Sequence, residues 1–297
     1  MKYTFSSYIT LFMYALLLSL ISSLAVGFYI KQLKISSQKN LFAFVLVNYL
    51  TAIVLSLSFF NVSYSNFTFS PVYLLLLVLC GILMPSIFLI LNKSLKYSGL
   101  ARTDIFQRMS LIIPVALSFQ LFGEEISNTK LIAVFTSFIS IMLLLYKKST
   151  NNGKYSVFYL ICVFLGYGAI DTLFKMIAVH KSLDYTSALT FIFIICAVIS
   201  FVYFWFAKGS FDVKYLYLGI VLGILNFSNI YFYMKAHKLF SESPTLVFVT
   251  MNLGVIIGGS LIGKYYFREK LPKSVLLGIF LAVISIILLA LIQLKII

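Results

Sequence analysis

Apolar runs of about twenty residues, separated by short polar breaks, repeat from one end of this chain to the other. Twenty residues of helix cross a hydrocarbon layer of about 30 Å. The runs predict ten spans, at Tyr8–Ile30, Leu41–Phe60, Val72–Leu91, Gly99–Phe122, Lys130–Tyr146, Tyr155–Ala178, Ser187–Phe206, Tyr215–Lys235, Ser243–Tyr266 and Ser274–Leu294. The breaks carry turn and charge punctuation, among them KQLKISSQKN, NVSYSNFTFSP, NKSLKYS and KKSTNNGK. In lipid only helices or closed barrels satisfy their own backbone, and runs of this length exclude the alternating strands of about ten residues that build barrels. The expected fold class is an all-α integral membrane protein.

Composition agrees. At 62% hydrophobic and 10% charged, with mean hydropathy +1.05, the 297 residues provide no water-facing surface for a soluble domain. The net charge of +15 does not point to nucleic acid, because the basic residues are spread thinly over the connections, where such charge orients helices. Lysines and arginines crowd the loops after the odd-numbered spans, which by the positive-inside rule makes that side cytoplasmic. The firm expectation is that both termini lie on one side. Cys80, Cys162 and Cys196 fall inside apolar runs with no metal or redox spacing and read as small core residues. Lys2 followed by a full-length apolar run reads as a first span rather than a cleaved signal.

The linker KKSTNNGK divides two copies of one unit. A shift of 145 positions (267 − 122) places Phe122-Gly-Glu124 on Phe267-Arg-Glu269, and Ile139-Ser-Ile-Met-Leu-Leu144 on Ile284-Ser-Ile-Ile-Leu-Leu289. The same shift puts Tyr14 on Tyr159, Gln107 on Asn252 and Pro114 on Gly259. Residues 1–147 and 155–297 are therefore expected to be two repeats. Each holds five spans, an odd number, so the second lies upside down relative to the first. Inverted repeats about a central cavity are a transporter architecture.

Charge inside the spans supplies the candidate chemistry. The stretch GLARTDIFQRMSLIIP, Gly99–Pro114, carries Asp104 and Arg108 one helical turn apart with Gln107 beside them. Such groups cost several kcal/mol against hydrocarbon, so they are expected to face protein or water. Either Asp104 and Arg108 simply pair near the membrane surface, or Arg108 holds a substrate carboxylate with its bidentate fork and Asp104 is its resting counter-ion. Asp171 and Lys175 repeat the spacing in the sixth span; they are either a helix-locking pair or a proton-coupling site. Asn226, Asn229 and Tyr233 form a stripe on the eighth span, with Asn252 on the ninth and Asn48 on the second. Singly these are interhelical hydrogen bonds; as a set, Asn226, Asn229 and Asn252 join Asp104, Gln107 and Arg108 as the substrate-binding candidates. Pro85, Pro114 and the glycines Gly254, Gly258 and Gly259 are candidate hinges or close-packing points.

Three motifs carry a resemblance: LKYSGLARTDIFQRMSLIIPVALSFQLFGEEIS, its echo AHKLFSESPTLVFVTMNLGVIIGGSLIGKYYFREKLP, and FLGYGAIDTLFK at the sixth span. The chain resembles the drug/metabolite transporter superfamily in its ten-helix EamA-like branch. That resemblance implies two inverted five-helix repeats in a bacterial inner membrane, alternating access, and termini in the cytoplasm, opposite to the charge count. It also implies transport of amino acids or other metabolites, by proton coupling, exchange or facilitated flow.

The expectation is thus a secondary transporter, of exporter type, for small organic solutes such as amino acids. Its partners are that solute, membrane lipids and protons as coupling ion, without nucleic acid. No cofactor, metal or catalytic residue is expected: GxxxxGK[ST], HExxH and GxSxG are all missing from the sequence. The alternatives are a carrier of another anionic or lipid-linked metabolite, and a membrane-embedded lipid-modifying enzyme.

Overall fold

A computed structural model describes residues 5–32, 38–60, 70–145, 154–180, 182–209, 212–266, 268 and 272–293. The linker 147–153 and the repeat echo at Phe267 and Glu269 lie outside them. The described chain is helical and contains no strand: α1 (Phe5–Gln32), α2 (Gln38–Phe59), α3 (Pro71–Met109), α4 (Ile112–Leu121), α5 (Asn128–Leu145), α6 (Lys154–Val179), α7 (Tyr185–Phe206), α8 (Val213–Leu239), α9 (Pro244–Tyr265) and α10 (Lys273–Gln293). Among the described residues, eight helices are long and apolar enough to cross a membrane. The outward faces are apolar, with Phe59, Trp205 and Phe206 each at least 70% exposed, while Ser19, Asn48, Ser118, Thr245 and Ser285 are fully buried. This inverts the arrangement of soluble proteins and suits lipid.

α3 is two helices run together. At Gly99 the backbone takes φ 76°, a left-handed value that glycine adopts without a Cβ penalty. The bend is bolted from both sides: the Thr103 hydroxyl reaches the Gly99 carbonyl at 2.9 Å and the Ser94 hydroxyl at 2.8 Å.

The helices form two compact units, and each draws on both halves of the sequence. Unit 1 comprises residues 1–88 and 173–239. In it α8 packs on α1 and α2, and α2 also packs on α7. A Cβ on Gly219 would fall 2.7 Å from Val47, and one on Gly223 would fall 2.5 Å from Thr51, so only glycine lets α8 approach α2 this closely. The two contacts advance together along both helices, which therefore run parallel. α1 runs antiparallel to α8, tied by Tyr29 to the Leu218 carbonyl and by Ser19 to Asn229.

Unit 2 comprises residues 89–172 and 240–297. Its α5 and α10 are antiparallel partners joined by two reciprocal bonds. The Ser140 hydroxyl donates to the Gly278 carbonyl at 2.8 Å, and the Ser285 hydroxyl donates to the Ala133 carbonyl at 2.7 Å. The offset of 145 positions turns one bond into the other, since 140 maps on 285 and 133 on 278. α4 and α5 also pack against α9.

Candidate functional site

The expected fourth span, Gly99–Phe122, is not one helix. Its first part ends at Met109, Ser110 and Leu111 form a turn, and α4 starts at Ile112. Pro114 explains the break, because it has no N–H to donate to the Ser110 carbonyl and its ring displaces that carbonyl from the helical path. The Ile113 N–H, one residue early, takes the Ser110 carbonyl at 3.0 Å, and the Leu111 N–H takes that of Arg108 at 3.2 Å. Roughly 15 Å of helix lies on either side of the break, so it falls near the middle of the segment.

α6 crosses this break at Gly168. A Cβ there would meet Ile113 side-chain atoms at 2.5 and 2.8 Å and the Ser110 carbonyl at 3.0 Å. The crossing brings Tyr167 and Asp171, one turn apart on α6, to the end of α3 that carries Asp104 and Arg108. Arg108 is 18% exposed and Asp104 39%, with Arg108 Nε 3.7 Å from Asp104 Oδ1. That separation is an ion pair beyond hydrogen-bond reach. Arg108 Nε is buried without a hydrogen-bond partner. A buried charged donor left open in this way is a group awaiting an acceptor.

The other candidates are distributed between the units. In unit 2, Gln107 is half-buried beside Arg108, and Asn252 turns its amide to the Phe248 carbonyl of its own helix at 3.2 Å. In unit 1, Asn226 donates to Asn48 Oδ1 at 3.2 Å, and Asn229 accepts from Ser19 at 3.0 Å. Lys175 is fully buried and reaches the His237 carbonyl at 3.4 Å. That carbonyl belongs to the last turn of α8, where intrahelical partners run out and a cation is favoured. His237 is itself fully buried, with its ring edge-on to Tyr233 at 4.7 Å.

One constellation escaped the sequence reading. Glu124, in the turn between α4 and α5, is buried with its carboxylate on the first turn of α9. Its Oε2 accepts from the Thr245 N–H at 3.2 Å and the Thr245 hydroxyl at 2.6 Å, while Oε1 lies 3.4 Å from Lys130 Nζ. Ser118 closes the set on Thr245 at 2.9 Å. A carboxylate at a helix N-terminus satisfies open N–H groups and complements the dipole. The only hint in the sequence was the acidic turn FGEE, which reads as a loop. Among the described residues no group of three or more His, Cys, Asp and Glu is placed to hold a metal.

Comparison with known proteins gives three results. A solved crystal structure of a protein superposes with a TM-score of 0.73 over 99% of each chain at 15% identity, which establishes a shared fold. A Haemophilus influenzae protein described as uncharacterized is 36% identical over 289 residues, 92% of this chain and 96% of that one. Residues 13–146 match the EamA-like transporter family.

Proposed function

We propose that this chain, whose residues 13–146 match the EamA-like transporter family, is a secondary transporter that exports small organic solutes, amino acids or related metabolites, by alternating access. The observation that carries the reading is Arg108: a half-buried guanidinium whose Nε is buried and open, seated where a span is broken and crossed by a glycine. Discontinuous spans place helix ends and charged groups where a carrier holds the polar part of its cargo. Arg108 takes the solute carboxylate with Gln107 beside it, and Asp104 is the counter-ion displaced when the solute arrives. Asn252, on α9 of the same unit, serves the rest of the solute. Asp171, an acid within a span, carries the coupling proton with Lys175 one turn on. The reciprocal bonds of Ser140 and Ser285 support two inverted repeats, 1–147 and 155–297. The protein resides in the bacterial inner membrane with both termini on one side.

The test is movement of labelled amino acids in reconstituted vesicles, with and without a pH gradient. Wild-type protein moves at least one of them, and Arg108→Ala abolishes that movement while its gel-filtration profile is unchanged. Normal transport by Arg108→Ala would make the guanidinium structural. Gradient-driven transport that survives in Asp171→Asn would remove Asp171 as proton carrier.

A further inference from the structure

We infer, resting on the transport reading above, that Asn48 and Asn226 form a polar site within unit 1 whose ligand is an uncharged carboxamide carried by the solute. The two residues are in direct contact. α8 lies on α2 at Gly223, three residues before Asn226, where a Cβ would fall 2.5 Å from Thr51 and 2.8 Å from the Asn48 carbonyl. Asn226 Nδ2 donates to Asn48 Oδ1 at 3.2 Å. Asn48 is fully buried, and its own Nδ2 has no hydrogen-bond partner among the described residues. The bond from Asn226 occupies one lone pair of Oδ1, so the edge that remains is two N–H donors beside a second lone pair. Locking the helices does not require this pair. The shift of 145 positions places Asn48 on Phe193 and Asn226 on Gly81. At that seam a Cβ on Gly81 of α3 would fall 2.5 Å from Ile195 of α7 and 3.5 Å from the Ile192 carbonyl, with Ile192 and Phe193 fully buried. The counterpart within the same unit thus closes without an amide at either position. An unpaired buried donor destabilises the arrangement that holds it, and a solute that pairs with it recovers what was lost. The open edge selects the partner. A carboxamide places its carbonyl on Asn48 Nδ2 and an N–H on Oδ1, whereas a carboxylate sets an anionic oxygen against Oδ1 and an alkyl chain leaves the donor open. Turning both amides end for end keeps one bond between them and leaves an edge that a carboxamide also matches. A site built to hydrogen-bond one solute group discriminates against analogues lacking it.

The experiment uses full-length protein in vesicles with labelled glutamine, glutamate and norleucine, whose side chains end in a carboxamide, a carboxylate and a methyl group. Wild-type protein is expected to move glutamine with kcat/KM about tenfold above the other two, the worth of one or two neutral hydrogen bonds. The double variant Asn48→Leu/Asn226→Ala gives the pair the apolar character of its counterpart and strands no donor. Its Tm in detergent stays at or above the wild-type value, and glutamine falls to the level of norleucine. No glutamine preference in wild type, or a preference that survives in the double variant, overturns the inference. Failure of the double variant to fold, or a lowered Tm with equal loss for all three solutes, marks a structural pair and overturns it too. Normal transport by Arg108→Ala removes Arg108 from the site proposed above and leaves the amide site standing. If wild type moves none of the three, the transport reading falls and ligand-induced thermal shift judges the site by itself. A rise in Tm with glutamine alone, lost in the double variant, supports the site, and no rise overturns it.

Discussion

Replacing Glu124 by alanine would leave the buried Lys130 ammonium without its counter-charge, held by the Glu125 carbonyl at 2.6 Å. Removing one partner of such a pair costs about 3–5 kcal/mol, so Glu124→Ala is expected to lower the Tm in detergent far more than Lys130→Met, which leaves the carboxylate its two Thr245 donors. If the two variants unfold together, Lys130 rather than the helix end is what Glu124 serves. The residues that could be read from sequence were those whose partners are one turn away. Asp104 and Arg108 announce themselves by spacing, and their side chains lie 3.7 Å apart. Glu124 could not be read in this way, because its partner Thr245 is 121 positions distant, nor could the pairing of Asn226 with Asn48, 178 positions apart. Spacing along one helix is visible in a sequence; a bond across helices depends on packing that one sequence does not encode locally.

At the scale of the element, the broken fourth segment rests on two residues that can be changed separately. Pro114→Ala restores an N–H and lets the helix run through Ser110. Stability should rise, because proline inside a helix costs about 3 kcal/mol, while transport falls, because the donors around Arg108 lose their position. A variant that is both stabler and fully active would show that the break is incidental. Gly168→Val should push α6 away from Ile113 and lower both the Tm and transport, and adding Ile113→Ala should restore much of the loss. Absence of rescue would mean that the contact with the Ser110 carbonyl dominates. Pro114 stands out in the sequence as a candidate hinge, yet the run around it is apolar and of full spanning length. Length therefore predicted one helix where backbone chemistry makes two. Gly99 marked the start of the segment in the sequence and is where the backbone turns.

For the molecule as a whole, the repeat offset and the contacts together specify how its parts join. Ser140→Ala and Ser285→Ala each remove one of two equivalent bonds. Their destabilisation should match, at about 0.6 kcal/mol apiece for hydrogen bonds between membrane helices, and should add in the double variant. Unequal losses would show that the two bonds are not equivalent. Each unit takes helices from both halves of the sequence, α2 with α7 and α8 in one and α5 with α10 in the other. Polypeptides 1–147 and 155–297 produced together should therefore co-purify on a tag carried by either. Separate elution in mild detergent would contradict the packing.

The α5–α10 seam also sets a schedule for synthesis. Ser140 finds its acceptor 138 positions later, and the donor for Ala133 lies 152 positions downstream of it. At about 5–20 residues per second, α5 leaves the ribosome on the order of ten seconds before α10 exists. During that wait its serine hydroxyls turn back to carbonyls of their own helix, as serine in a helix can, and its seam faces lipid. The α5 seam of unit 2 is thus closed only once α10 has been made, and a chain cut short ahead of α10 reaches the membrane with that seam unfilled.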